Sequence, residues 1–200
     1  MNTKDVISVI KGNFNTNHLA VCSVGRTAEE VFSQIPNNQV LFVDCLGSVS
    51  GIAMGLAMGL CDVWVDAFDT DGSFMYNLSI LHSISDKKRD LKNLTIYIFD
   101  NKLYESCGGI KSRSANLDWN KMCCAWNIKP VIVDEIEQLR AFLKNRQNFL
   151  LPQVVILNIS NLGLDNSCQK DIDGLESKYR FKRYINNNIK KGILKPCAKN

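Results

Sequence analysis

Residues Val63-Trp64-Val65-Asp66-Ala67-Phe68-Asp69-Thr70-Asp71-Gly72-Ser73 decide the fold. The run from Val63 to Phe68 is apolar and β-branched, as in a buried strand; an Asp-Gly turn follows, and a helical pattern continues from Ser73 to Ser85. A strand feeding a helix through a tight turn is one βα unit. Outward from this stretch the rhythm repeats. Strands are expected at Leu19 to Ser23, Val40 to Val43, Leu94 to Asp100, Pro130 to Val133 and Gln153 to Asn158. Helices are expected at Lys4 to Lys11, Thr27 to Gln34, Ser50 to Leu60, Leu117 to Trp126, Ile136 to Asn145 and Leu175 to Asn188. Six strands alternating with helices imply a mainly parallel six-stranded sheet covered on both faces, a three-layer α/β sandwich. Thr27, ahead of Glu29 and Glu30, and Asp134, ahead of Glu137, are the expected caps of their helices. Gly51, Gly55 and Gly59 put a smooth stripe on the third helix, suited to close packing on a sheet, a helix or a cofactor.

With 200 residues, 46% hydrophobic and 22% charged, the chain can bury one sizeable core. The expected organisation is an α/β domain over 1–160 and a C-terminal extension over 161–200. That extension combines a polar connection from Gly163 to Gly174 with a basic helix packed on the same domain. Twenty-four basic residues against 20 acidic give a formal charge of +4, with the excess beyond Lys170. Scattered basic residues on one helix, without interleaved aromatics, read as a solvated face, so no nucleic-acid partner is expected. The longest apolar stretch, Val49 to Leu60, ends before Asp62 and is too short to span a bilayer. The eight cysteines form no C-x-x-C pair and no secretory leader is expected, so they read as reduced thiols in a cytoplasmic protein. Adjacent Cys123 and Cys124 read as helix core. Neither His18 nor His82 stands near a cysteine cluster with zinc-ligand spacing, and His82 is given no catalytic role.

Ligands of open α/β sheets bind outside the carboxyl ends of the strands, which is where Asp69, Thr70, Asp71, Gly72 and Ser73 fall. The first-turn N–H groups of the following helix suit phosphate oxygens, but Asp69 and Asp71 repel a bare diphosphate. A divalent cation resolves the conflict, and magnesium favours such hard oxygen donors. If the next strand lies alongside, Asp100-Asn101 brings an amide oxygen to the same edge.

Thr70-Asp71-Gly72, followed after the 27 residues from Ser73 to Phe99 by Asp100-Asn101, resembles the metal and diphosphate motif of thiamine diphosphate (ThDP)-dependent enzymes, with Thr70 where the family usually has glycine. The resemblance implies magnesium ligands from Asp71, Asn101 and the Leu103 carbonyl, and diphosphate contacts from Ser73 and the amides around Gly72. Gly47-Ser48-Val49 resembles the segment supporting the aminopyrimidine, with Gly47 accepting from the amino group and Val49 as a small apolar wedge. Asp100-Asn101-Lys102-Leu103-Tyr104-Glu105-Ser106-Cys107-Gly108-Gly109 is similar to the D-N-x-x-Y-x-S-x-G segment of sulfopyruvate and phosphonopyruvate decarboxylases, and Asn161-Leu162-Gly163 fits the same subgroup. Tyr104 is expected at the cofactor; Glu105, Ser106 and Cys107 follow the metal segment, with Ser106 the expected substrate contact, and Lys102, Lys111 and Arg113 are the nearby cations for an anionic 2-keto acid. Cys107 lacks a neighbouring histidine and is not expected to be a nucleophile.

In that family the glutamate that activates the cofactor comes from a pyrimidine-binding domain, for which a 200-residue chain has no room. No catalytic residue is therefore assigned here. The implied assembly is a β subunit with a pyrimidine-binding α subunit, α2β2 or larger, acting as a carboxy-lyase. Alternatives left open are a ThDP-dependent carboligase half-enzyme and a non-catalytic assembly or regulatory domain.

Overall fold

The computed structural model describes residues 1–161 and 173–197. Its strands are β1 (His18–Ser23), β2 (Val40–Val43), β3 (Trp64–Thr70), β4 (Leu94–Asp100), β5 (Leu103–Tyr104), β6 (Ile110–Lys111), β7 (Val131–Val133) and β8 (Gln153–Asn158). Its helices are α1 (Thr3–Lys11), α2 (Arg26–Gln34), α3 (Val49–Gly59), α4 (Asp71–Phe74), α5 (Ile80–Asp86), α6 (Trp119–Cys124), α7 (Ile136–Asn145) and α8 (Gly174–Lys190). Six strands form one parallel sheet in the order β2-β1-β3-β4-β8-β7, and β5 and β6 pair antiparallel as a short ribbon.

The alternation of side chains along each strand builds two cores. Leu94, Ile96 and Ile98 of β4 enter the core shared with α3, α5, α6 and α8, whereas Tyr97 and Phe99 enter the one shared with α1, α2 and α7. Burying each large apolar side chain contributes roughly 1.5–3 kcal/mol, so a one-residue slip, which exchanges the faces, is strongly disfavoured. The result is the expected three-layer α/β sandwich with a parallel six-stranded sheet. On the face with Tyr97, Asp66 of β3 is fully buried and takes a two-pronged ion pair from Arg146, whose guanidinium also lies 4.7 Å from the centre of the Trp64 ring.

β2 is an edge strand, and α8 covers it. Ser177 donates to the Val40 carbonyl and accepts from the Phe42 N–H at 3.0 Å, while Phe181 enters the core. Arg180 pairs with Glu176, and Lys178, Lys182, Arg183 and Lys190 are exposed. The polar connection expected between Gly163 and Gly174 falls almost wholly outside the described residues, as do Leu162, Cys168, Lys170 and Lys199.

Several local expectations are corrected. β3 runs on to Thr70, because Asp69 and Thr70 stay in register with Ile98 and Phe99. The helix expected from Ser73 to Ser85 is broken into α4, a 3-10 turn at Met75–Asn77, and α5. Asn77 accounts for the break: its side chain donates to the Gly47 carbonyl and accepts from Ser79, drawing the chain off the helical path. Helix α2 is preceded by Gly25 rather than capped by Thr27, and α7 begins with a capping box of Glu135 and Gln138, not with Asp134. Helix α6 is short, starting at its Asp118 cap, and only Cys123 is core; Cys124 is exposed because successive helical residues point about 100° apart.

The expectation of reduced thiols fails for one pair. Cys61 and Cys197 are disulfide-bonded, with Cα atoms 5.1 Å apart. Gly59, Leu60 and Cys61 pair with Lys195, Pro196 and Cys197, a contact that joins segments too distant in sequence for spacing to reveal. Cys22, Cys45, Cys107, Cys123 and Cys124 are free. Among the described residues no helix is long and apolar enough to cross a membrane.

Candidate functional site

The strand order reverses between β1 and β3, since β2 lies to one side of β1 and the later strands to the other. A cleft of about 1090 Å³ opens there, at the carboxyl ends of β1, β3, β4 and β8. Parallel strands put all their following turns on one edge, so the topology gathers segments far apart in sequence.

Asp71 begins α4 at the end of β3 and is buried. Its Oδ2 accepts from Ser112 at 2.8 Å and from Ser114 at 2.5 Å. Burial raises its pKa, and the two serine bonds oppose that shift. Asp69 is fully buried, and burial pushes it up to about 6 against bonds from Ser73, the Thr70 N–H and Ser50. Asp100, at the end of the adjacent strand, accepts from Trp119 Nε1 at 2.7 Å and from the Lys102 ammonium at 3.0 Å. Three carboxylates are buried at neighbouring strand ends, and the Lys102 ammonium pairs with Asp100, which leaves negative charge that a divalent cation would balance.

Thr70 ends β3 in extended conformation, φ −104°, where a Cβ meets no backbone penalty. Its Oγ1 accepts from the Ser73 N–H and so caps α4. Gly72, by contrast, has no room for a side chain, because a Cβ would stand 2.8 Å from Cε1 of Tyr104. The Ser73 hydroxyl accepts from the Gly47 N–H at 3.1 Å and is turned inward. Thr70, Asp71, Gly72 and Ser73 all line the cleft.

Asn101 stands at its edge, with Oδ1 accepting from the Leu103 N–H and Nδ2 donating to Glu105, each at 2.9 Å. Leu103, Tyr104 and Ser106 also line the cleft. Asp71 and the 101–104 segment therefore share one wall and present a carboxylate, an amide and a backbone. Among the described residues no three His, Cys, Asp or Glu side chains gather to hold a metal, so the available donor set is mixed oxygen. That is the chemistry magnesium takes when it completes its shell with phosphate and water.

Gly47, Ser48 and Val49 stand behind this wall. Gly47 has φ +79°, its carbonyl accepts from Asn77, Ser48 precedes α3, and Val49 is fully buried. Leu46, 43% exposed, is the residue of that turn that lines the cleft. Of the three cations considered for an anionic substrate, Lys102 is paired with Asp100 and Lys111 donates to Asn116, while Arg113 lines the cleft. The site includes residues that the motifs did not point to: Val24, Gly25, Arg26 and Thr27 after β1, and Ile159 and Asn161 after β8. Their signal was positional, since every turn after a parallel strand opens on this edge.

The fold is shared with solved structures of ThDP-dependent enzymes. A ThDP-dependent enzyme from Mycobacterium smegmatis matches with TM-score 0.66 and 20% identity over 80% of this chain and 32% of its own. The 4-hydroxybenzoylformate decarboxylase of Rhodococcus jostii matches with TM-score 0.70 and 16% identity, over 80% and 33%. The benzoylformate decarboxylase of Polynucleobacter necessarius matches with TM-score 0.64 and 16% identity, over 78% and 33%. The chain spans about a third of the length of each. No protein-family model and no curated protein matches the sequence.

Proposed function

We propose that this chain is the diphosphate-binding subunit of a ThDP- and magnesium-dependent 2-keto acid decarboxylase, working with a pyrimidine-binding partner chain. The observation that carries the reading is the placement of Asp71 and Asn101. They follow adjacent parallel strands, β3 and β4, and line one cleft at the switch point of a sheet shared with ThDP-dependent enzymes. Asp71, Asn101 and the Leu103 carbonyl would hold magnesium, and the amide of Gly72 would take a diphosphate oxygen, the Ser73 N–H being held by Thr70 Oγ1. The bound cofactor supplies the nucleophilic carbon and electron sink of decarboxylation. Ser112 and Ser114 keep Asp71 oriented, Tyr104 covers Gly72, and Gly47 with Val49 backs the ring-binding side. Ser106 and Arg113 face the cleft where an anionic substrate, a phosphonopyruvate or sulfopyruvate by motif, would approach. The activating glutamate belongs to the partner, and an α2β2 assembly satisfies that requirement.

The test is ThDP binding by the complex reconstituted with a pyrimidine-binding chain. Magnesium-dependent binding by the wild type and its loss in Asp71→Ala support the reading. Undiminished binding by Asp71→Ala overturns the metal assignment.

A further inference from the structure

Three donors from three separate strand ends converge on one carboxylate in the cleft. Arg26, which opens α2 after β1, donates from Nε to Glu105 Oε2 at 3.2 Å. Asn101, after β4, and Asn161, after β8, each donate from Nδ2 to Glu105 Oε1 at 2.9 Å. All four residues line the cleft.

The two amides are oriented without help from Glu105. Asn161 Oδ1 accepts from the N–H and the hydroxyl of buried Thr3 at 3.2 and 3.0 Å, and Asn101 Oδ1 accepts from the Leu103 N–H. With each oxygen engaged on the far side, each NH₂ group must face the same point. Arg26 opens α2, and its side chain is 15% exposed. Glu105 is the least anchored member: it sits on an exposed 3-10 turn after the β5 strand, and its side chain is 34% exposed. A guanidinium and two oriented amides form a recess shaped for an oxyanion, because charge-assisted bonds to carboxylate or phosphate oxygens are the stronger class. An occupant carried on a surface turn can leave without disturbing the donors.

We propose that Arg26, Asn101 and Asn161 form a binding site for an oxyanion group of a small ligand, with the Glu105 carboxylate as an internal occupant that the ligand displaces. The donor set stands on these hydrogen bonds, with Asn101 also serving the proposed magnesium site through Oδ1; the bearer of the oxyanion rests on the ThDP reading. Under it, two molecules carry such a group: the 2-keto acid, through its carboxylate, phosphonate or sulfonate, and the cofactor, through its diphosphate. Displacement exchanges one anion for another against Arg26, Asn101 and Asn161.

The experiment measures the thermal midpoint of the full chain against acetate, inorganic phosphate and magnesium pyrophosphate, with chloride at equal ionic strength as the reference. Glu105→Ala removes the competing carboxylate and is expected to show saturable stabilisation by acetate or phosphate at concentrations roughly tenfold below those needed by the wild type. Adding Arg26→Gln to Glu105→Ala abolishes that response. Where Glu105→Ala does not fold, Glu105→Gln carries the same comparison, since it removes the competing charge while keeping an acceptor. Equal responses in wild type and variant, no response in either, or weaker binding after Glu105 is removed overturns the proposal. Asp71→Ala separates the bearers. Retained acetate and phosphate binding in that variant assigns the recess to substrate, and joint loss with magnesium pyrophosphate assigns it to the cofactor. An oxyanion response in Glu105→Ala, combined with no magnesium-dependent ThDP binding by the complex reconstituted with a pyrimidine-binding chain, leaves the recess standing and removes the ThDP reading.

Discussion

Tyr104 lies against Gly72 so closely that a Cβ on the glycine would stand 2.8 Å from the tyrosine Cε1. The same tyrosine accepts from the Arg113 N–H through its hydroxyl, and the serines on either side of Arg113 hold Asp71. The turn after β3 and the ribbon after β4 are thus one packed unit. Asp71 keeps its orientation through Ser112 and Ser114, which flank the residue that Tyr104 holds.

Gly72→Ala forces that ring aside. Overpacking of this kind costs typically 1–3 kcal/mol, and a loss of about that size is expected in urea unfolding. Tyr104→Leu removes the offending atom, so the double variant should lose less than the sum of the single changes. Strict additivity would show that the ring and Gly72 do not meet.

On the other side of the sheet, Asp66 is wholly buried and depends on Arg146 for its charge balance. Arg146→Met is expected to cost about 3–5 kcal/mol, because it strands a buried carboxylate. Replacing both partners, as Asp66→Leu with Arg146→Met, should recover most of that loss. A double variant as unstable as the single one falsifies the pairing as the cause.

Much of this arrangement was legible from residues close in sequence. The apolar run from Leu94 to Asp100 marked β4, and the βα rhythm put Asp71 and Asn101 on one edge. What remained hidden depends on loop paths, which periodicity does not report. Ser112 and Ser114 reach Asp71 across 41 and 43 residues, and Arg26 reaches Glu105 across 79. The broken helix after Asp71 has a local cause, Asn77 and Ser79, but its effect needs the Gly47 carbonyl 30 residues earlier. Only the folded sheet edge brings these groups together.

His18 makes stability sensitive to pH. Burial lowers its pKa from the ordinary 6.5, nearby Asp66 opposing the shift and Arg146 reinforcing it. The unfolded chain therefore binds a proton that the folded protein resists. Stability from the neutral ring is fully present above 6.5 and declines as the pH falls through that value. Urea unfolding of wild type and His18→Gln from about pH 7.5 to about pH 5.5 isolates this contribution as the difference between the two curves. A difference that stays constant across the window contradicts the assignment.

The Cys61–Cys197 bond fastens the end of the described chain to the turn between α3 and β3, across 136 residues. Nearby, Leu194 and Phe181 enter the core that α8 shares with α3, so the bond restrains the helix covering the edge strand. Loss of such a long cross-link frees the unfolded ensemble more than the folded one, and Cys61→Ser is expected to cost about 2–4 kcal/mol. Reducing agent should bring the wild type down to the variant and leave the variant unchanged. Amide exchange should rise first in α8, because its docking on β2 relies on Ser177 and Phe181. If wild type and Cys61→Ser unfold together under oxidising and reducing conditions alike, the bond does not hold the fold, and packing of α8 alone secures the edge.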